Sequence, residues 1–210
     1  MIISGQVLRK INGVTLKNDC HLFYYRSSID PVQSSGAYIF RPENNDPIPI
    51  GEPKLTINHG ALTMDLILTY SNWAEQKFRF FKRSPVIEHE FIVGELPRPG
   101  MELIFKLKTD IESGDTFYTD INGRGEILRK LNYRETWELN QTEPVSGNYY
   151  PVNSKIRIED EKTGAQLAVF PDRAQGIFPT GLDITYAGGW SLSRPFNLSL
   201  SNSDLNSECP

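Results

Sequence analysis

Apolar and polar residues alternate with a period of two along much of the chain. The pattern is clearest at Leu62, Met64, Leu66, Leu68 and Tyr70, and again at Leu103, Phe105, Leu107, Thr109 and Ile111. Successive side chains of an extended backbone point to opposite faces, so each run predicts a strand with one buried face. Shorter runs rich in β-branched and aromatic residues predict further strands at Lys77 to Phe81, Val86 to Val93, Lys155 to Ile158 and Gln166 to Phe170. Turn signals separate them: Pro47-Ile-Pro-Ile-Gly, Asn58-His-Gly, Pro97-Arg-Pro-Gly, Ser113-Gly-Asp, Asn122-Gly and Thr163-Gly. No long segment sustains a 3.6-residue period, and roughly eight to ten closely spaced strands predict an all-β, antiparallel β-sandwich. Glu126 to Leu131 fits a strand or one helical turn equally well. From Gly176 onward Ser, Asn, Gly and Pro dominate, so Ile177 to Pro210 is expected to be a poorly ordered tail.

A chain of 210 residues can bury a sizeable core, and one domain is the simplest expectation. The 22 basic residues are scattered among 26 acidic ones for a net charge of −4, which leaves no stripe to neutralise a phosphate backbone, so no nucleic acid is expected as a partner. No apolar run is long enough for a transmembrane helix, and no membrane partner is expected. The opening MIISGQVLRK lacks the order of a secretory signal, so no signal peptide is read in this chain. Cys20 and Cys209 stand near opposite ends and imply neither a disulfide framework nor a zinc site.

Local signatures of chemistry are scarce. His21, His59 and His89 fall in separate segments, outside any HxxH, HxH or HExxH spacing, so no metal site is predicted. In Glu88-His-Glu90, alternation puts both carboxylates on one strand face and the imidazole on the other, which separates an acid pair from its would-be base. A solvated face with a structural ion pair is the better reading. Neither a GxSxG elbow nor a GxxxxGK[ST] loop occurs. No catalytic residue is assigned. Asn140-Gln-Thr and Asn197-Leu-Ser are formal glycosylation acceptors.

Three longer words carry more information: Ser35-Gly-Ala-Tyr-Ile-Phe-Arg-Pro42, Phe117-Tyr-Thr-Asp-Ile-Asn-Gly-Arg124 and Leu139-Asn-Gln-Thr-Glu-Pro-Val-Ser-Gly-Asn-Tyr-Tyr-Pro-Val-Asn153. Together with Tyr133-Arg-Glu-Thr-Trp137 and Asp172-Arg-Ala-Gln-Gly176, they resemble the C-terminal β-rich region of lysosomal-type α-mannosidases of glycoside hydrolase family 38, from about Gly5 to Gly176. The resemblance implies a supersandwich-like fold over residues 1–176. It implies a retaining exo-glycosidase that trims α-linked mannose from glycans in a lysosome or vacuole. It also implies that zinc and both catalytic carboxylates belong to a preceding α/β domain, with no cofactor in this chain.

On that resemblance the expected role is a non-catalytic region that supports the missing catalytic domain and the rim of the sugar pocket. The alternative is a stand-alone carbohydrate-binding sandwich. Tyr38 matches a family tyrosine that hydrogen-bonds a mannose hydroxyl, while Asn140 lies inside a family word and Asn197 outside any. Gly147-Asn148 predicts a turn, and extended Tyr149 and Tyr150 would face opposite sides, with Pro151 holding the chain extended, which reads as an interdomain or structural joint. Two departures stand out: Gly125 is inserted between Arg124 and Glu126, and after Gly176 the resemblance stops, predicting an unpaired sheet edge.

Overall fold

A computed structural model describes residues 2–4, 7–10, 21–36, 39–180, 183–187 and 194–201, with side chains over 21–36 and 39–177. It is an antiparallel β-sandwich. Strands β1 (Ile2–Ser4) and β2 (Val7–Lys10) pair by themselves. The smaller of the two main sheets contains β3 (His21–Arg26), β4 (Ile48–Pro49), β9 (Met101–Lys108), β12 (Tyr150–Val152), β15 (Gln175–Thr180) and β16 (Asp183–Ala187), in the order β12-β15-β16-β9-β3-β4.

The larger sheet has nine strands. They are β5 (Lys54–His59), β6 (Thr63–Thr69), β7 (Ala74–Phe81), β8 (Val86–Val93), β10 (Thr116–Asp120), β11 (Glu126–Lys130), β13 (Ile156–Glu159), β14 (Gln166–Phe170) and β17 (Arg194–Ser201), in the order β11-β10-β13-β14-β17-β8-β7-β6-β5. Alternation explains the interior. Leu66 and Leu68 of β6, Phe78 of β7, Ile87 of β8, Ile158 of β13 and Leu167 and Val169 of β14 meet Leu22, Phe105, Leu107 and Val152 from the smaller sheet in one buried cluster. At about 25 cal/mol per Å² of apolar surface, this burial is the main force holding the layers together.

Two runs come out as expected in extent, Val86–Val93 and Gln166–Phe170, and Glu126–Lys130 resolves as strand. Leu62 departs from the expected buried face: it stands in the turn before β6, 76% exposed. Within the stretch expected to be a poorly ordered tail, Ile177 to Pro210, the described residues include the end of β15, β16 and β17, while 181–182, 188–193 and 202–210 lie outside the described residues. β17 joins β14 to β8 and so unites two four-stranded groups, and β15 and β16 connect β12 to β9. The physical reason is period-two patterning inside a polar composition. Phe196, Leu198 and Leu200 alternate with Asn197, Ser199 and Ser201, and the register sets Leu198 opposite buried Ile87 and Val169. β14 is therefore paired on both sides, by β13 and β17. Residues 202–210, like Cys20 and Cys209, lie outside the described residues.

The inserted Gly125 leaves the β10/β11 register unbroken, with Asp120 opposite Glu126 and Thr116 opposite Lys130. The hairpin loop absorbs it, because the Ile121 N–H reaches the Gly125 carbonyl at 2.8 Å and Asn122 and Gly123 take φ of 50° and 71°. Asp120 fixes this hairpin to the chain that follows β12. One carboxylate oxygen accepts from the N–H groups of Asn153, Ser154 and Lys155 at 2.8, 3.0 and 3.3 Å, and the other from Gly123 at 2.8 Å. Burial alone would raise its pKa, but these donors outweigh it and hold the group at about 2.

Replacing Asp120 by Ala strands several of those donors and should cost about 2–3 kcal/mol of stability. The pH dependence has a definite sign. A carboxyl depressed in the folded state stabilises fully above its unfolded pKa near 4, and that contribution fades as pH falls from about 4 towards 2. Urea midpoints measured across pH should show this acid limb in the wild type and a weaker one in Asp120→Ala; identical limbs would remove Asp120 from the account.

Candidate functional site

The loop that carries the first family word leaves the end of β3 and returns to its own neck. Ser27 bridges Pro42, the Ser28 N–H reaches the Arg41 carbonyl at 2.8 Å, and the Glu43 N–H reaches the Arg26 carbonyl at 2.7 Å. Inside the loop the Asp30 carboxylate accepts from the N–H groups of Val32 and Gln33 at 2.7 and 3.1 Å, and Ser35 donates its N–H to the Ser28 carbonyl at 2.9 Å. Gly36 donates to the Ile39 carbonyl at 2.9 Å. Tyr38, the expected sugar contact, lies outside the described residues, between these two hydrogen-bonded partners.

Below the loop lies the outer face of the smaller sheet. Phe23 and Tyr25 of β3 stand in register with Ile104 and Glu102 of β9, and Phe23, Tyr25 and Ile104 form a second apolar cluster with Phe40 and Val145. The Phe40 ring packs 5.7 Å from Tyr25 and 6.2 Å from Tyr149. Two polar ties bind the loop to the stretch after β11: Arg41 Nε donates to Glu143 at 2.7 Å, and the Ser146 hydroxyl donates to the Phe40 carbonyl at 2.6 Å. The Arg41 guanidinium also holds the Glu143 carboxyl below its usual range.

The cluster shifts its own titrations. Burial pushes the Glu102 carboxyl up to about 7. Burial, and then the Glu102 charge, raises the Tyr149 phenol to about 12; burial and Asp46 do the same for Tyr25, whose hydroxyl donates to the Asn45 carbonyl at 3.3 Å. Glu102 carried no sequence motif. Only its place among alternating apolar residues, Leu103 and Phe105 inward and Ile104 outward, could have pointed to it.

The second tyrosine of the pair takes the other face. Tyr150 is buried in the main core with its ring 5.2 Å from Phe117, and its hydroxyl accepts from Arg134 at 2.9 Å. Pro151 pairs with Gly176 in the β12/β15 ladder. Asn148 organises the preceding turn: its Oδ1 accepts the Asn132 N–H at 2.9 Å while Nδ2 donates to Asn132 Oδ1 at 2.7 Å and to the Pro144 carbonyl at 2.8 Å. Tyr149 lies over Gly176, where a β-carbon would overlap the phenol.

The remaining candidates are dispersed. His89 is fully buried, stacked 4.0 Å from Phe78 and beside Phe91 and Phe105, and burial drives its pKa well below the ordinary value. Glu90 pairs with Lys77 on the opposite face. His21 contacts the Tyr70 hydroxyl at 3.2 Å, and His59 is exposed on β5. No group of three His, Cys, Asp or Glu side chains that could hold a metal ion occurs among the described residues. Asn140 is exposed in the loop after β11, whereas Asn197 lies within β17, paired on both sides with Glu88 and Phe170.

Because the Tyr149 phenol occupies the space a methyl would need, Gly176→Ala should cost about 1–3 kcal/mol in thermal or denaturant unfolding. Adding Tyr149→Ala should recover most of that loss, and additive penalties in the double variant would mean that the two residues do not touch.

The neck-closed loop, the ring platform beneath it and the Asp120 junction bring the three family words into contact, and comparison with known proteins agrees. The family model described as "Glycosyl hydrolases family 38 C-terminal domain" matches residues 4–184, extending past Gly176. Lysosomal alpha-mannosidase of Cavia porcellus is 41% identical over 170 residues, 78% of this chain and 17% of that protein. The Bos taurus protein of the same name is 44% identical over 148 residues, 69% of this chain and 15% of that protein. Alpha-mannosidase of Canavalia ensiformis is 36% identical over 186 residues, 83% of this chain and 19% of that protein. The chain spans less than a fifth of the length of these relatives, and it belongs to the C-terminal domain family of glycosyl hydrolases family 38.

Proposed function

We propose that this chain serves as the non-catalytic sandwich region of an α-mannosidase, supporting a catalytic α/β domain and presenting Tyr38 to the rim of its sugar pocket. The observation that carries the reading is the loop around Tyr38. It is closed at its neck, tied to Glu143 and Ser146, and packed through Phe40 on the Tyr25 and Tyr149 rings. Such fixation suits a residue that must meet a ligand from a rigid scaffold. Tyrosine suits the task, since its ring packs on sugar C–H bonds while its O–H exchanges a hydrogen bond.

Substrate and compartment follow from the relatives: mannose-containing glycans, in a lysosome or vacuole. Nucleophile, acid/base and zinc would be supplied by the catalytic domain, and this chain contributes position alone. Tyr149 and Pro151 face the loop side of the sheet, where an interdomain contact would form, and Tyr150 anchors that contact to the core. Asn140, exposed in its loop, would carry an N-linked glycan in the secretory pathway; Asn197, inside a paired strand, is the poorer acceptor.

Two measurements test the reading. The purified 210-residue chain should neither hydrolyse an aryl α-mannoside nor bind zinc stoichiometrically, and chelator-sensitive turnover would overturn it. Micromolar mannoside binding by the chain alone would favour a stand-alone module instead. In an active enzyme containing this region, Tyr38→Phe should lower kcat/KM by about 1–3 kcal/mol, roughly ten- to hundredfold; an unchanged value would place the phenol outside the pocket.

A further inference from the structure

We propose that Trp137 is an intramolecular ledge for a carbohydrate, packing its indole face against the first N-acetylglucosamine of a glycan on Asn140. The proposal rests on the acceptor role given to Asn140 above. It adds a sugar-binding contact that is independent of mannoside recognition.

Trp137 is 58% exposed in the loop between β11 and Val145. The loop does not need it as a plug, because Val145, Asn148 and Arg134 fill and bond its interior. An exposed indole offers an apolar face on which a sugar ring can stack, and the sequence supplies an attachment point nearby. In Trp137-Glu-Leu-Asn140-Gln-Thr142 the ring precedes the acceptor by three residues, a span of at most about 10 Å of backbone. That is within reach of a sugar attached to the asparagine side chain.

Orientation comes from Gln141, the middle residue of the acceptor triplet. Its side chain is drawn inward over Gly147, its Oε1 accepts the Glu143 N–H at 3.0 Å, and its Nε2 is buried. On either side of it Asn140 and Thr142 are both exposed. Thr142 is thereby open to the transferase that reads the triplet, and the glycan leaves from the solvent side of the loop that carries Trp137. The chemistry is complementary. One face of an N-acetylglucosamine ring presents C–H bonds and the acetamide methyl, which carry slight positive charge, and the indole face is the negative side of its quadrupole. No covalent step is involved beyond ordinary N-glycosylation of Asn140.

The test uses the whole chain secreted from eukaryotic cells behind a cleavable signal peptide. Peptide mapping reports occupancy of Asn140, and an unoccupied site overturns this proposal together with the acceptor reading. With the site occupied, the glycan is trimmed by an endoglycosidase to a single isotope-labelled N-acetylglucosamine. Its ring and acetamide protons should then shift upfield in NMR through the indole ring current, and the shift should vanish in Trp137→Leu. Acrylamide quenching of Trp137, isolated by Trp73→Phe and Trp190→Phe, should be at least twofold weaker in the glycosylated chain than in Thr142→Ala, which removes the acceptor triplet and leaves the ring. Full occupancy with random-coil sugar shifts and unchanged quenching would sink the ledge while leaving the acceptor role intact; the NMR readout on the wild-type chain needs no variant to fold.

Discussion

Successive residues of an extended chain face opposite ways, and at Tyr149-Tyr150 this constraint couples the interior of the sandwich to the surface that carries the candidate site. Tyr150 turns into the main core against Phe117, while Tyr149 turns out over Gly176 and beside Phe40. Neither ring can shift by one position without exchanging faces. Phe40 and Arg41 are thus held by the same packing that stabilises the fold. Asn148 and Arg134 reinforce the arrangement from within the preceding turn, through the Asn132 bonds and the Tyr150 hydroxyl.

Buried titratable groups give the sandwich opposing responses to acid. Glu102 is raised to about 7 by burial, so its folded state holds a proton that the unfolded chain releases; the associated stability is complete below the unfolded carboxyl pKa and is lost as pH rises towards 7. His89 is the reverse case. A neutral imidazole enclosed by Phe78, Phe91 and Phe105 resists protonation, so stability is complete above the unfolded pKa near 6.5 and declines as pH falls below it. Between about pH 4.5 and 6.5 the two trends oppose each other and flatten the profile, and the Asp120 junction weakens only below that window. Over that window the two buried groups draw opposite responses from the same change in pH.

Much of the larger sheet was legible because its strands alternate cleanly and are bounded by turn residues, as at Val86–Val93 and Gln166–Phe170. The last strands leave a weaker trace, because composition and period point in opposite directions. Ser and Asn dilute the apolar content of Pro195-Phe-Asn-Leu-Ser-Leu-Ser201, yet every second residue from Phe196 to Leu200 is apolar, which is what a half-buried strand requires. The site was legible only in part. Asp120 stood within a quoted word, before an Asn-Gly turn, but the donors it collects come from Asn153, Ser154 and Lys155, more than thirty residues away. A long-range partner of that kind leaves no local pattern to read.

The three words that carried the family resemblance are also the three segments that touch. Ser35 to Pro42 meets Leu139 to Asn153 through the Arg41 ion pair with Glu143, the Ser146 hydroxyl on the Phe40 carbonyl and the Phe40 and Tyr149 rings. Phe117 to Arg124 meets the same stretch through Phe117 on Tyr150, Asp120 on the Asn153 N–H and Asn122 on the Asn153 amide. A residue engaged in a directional contact across the fold cannot change alone, since its partner would be left with an unpaired charge, an unsatisfied donor or a cavity. The central stretch belongs to both contacts, and this accounts for its density of unusual residues: a turn at Gly147-Asn148, two rings on opposite faces and a proline that keeps them there.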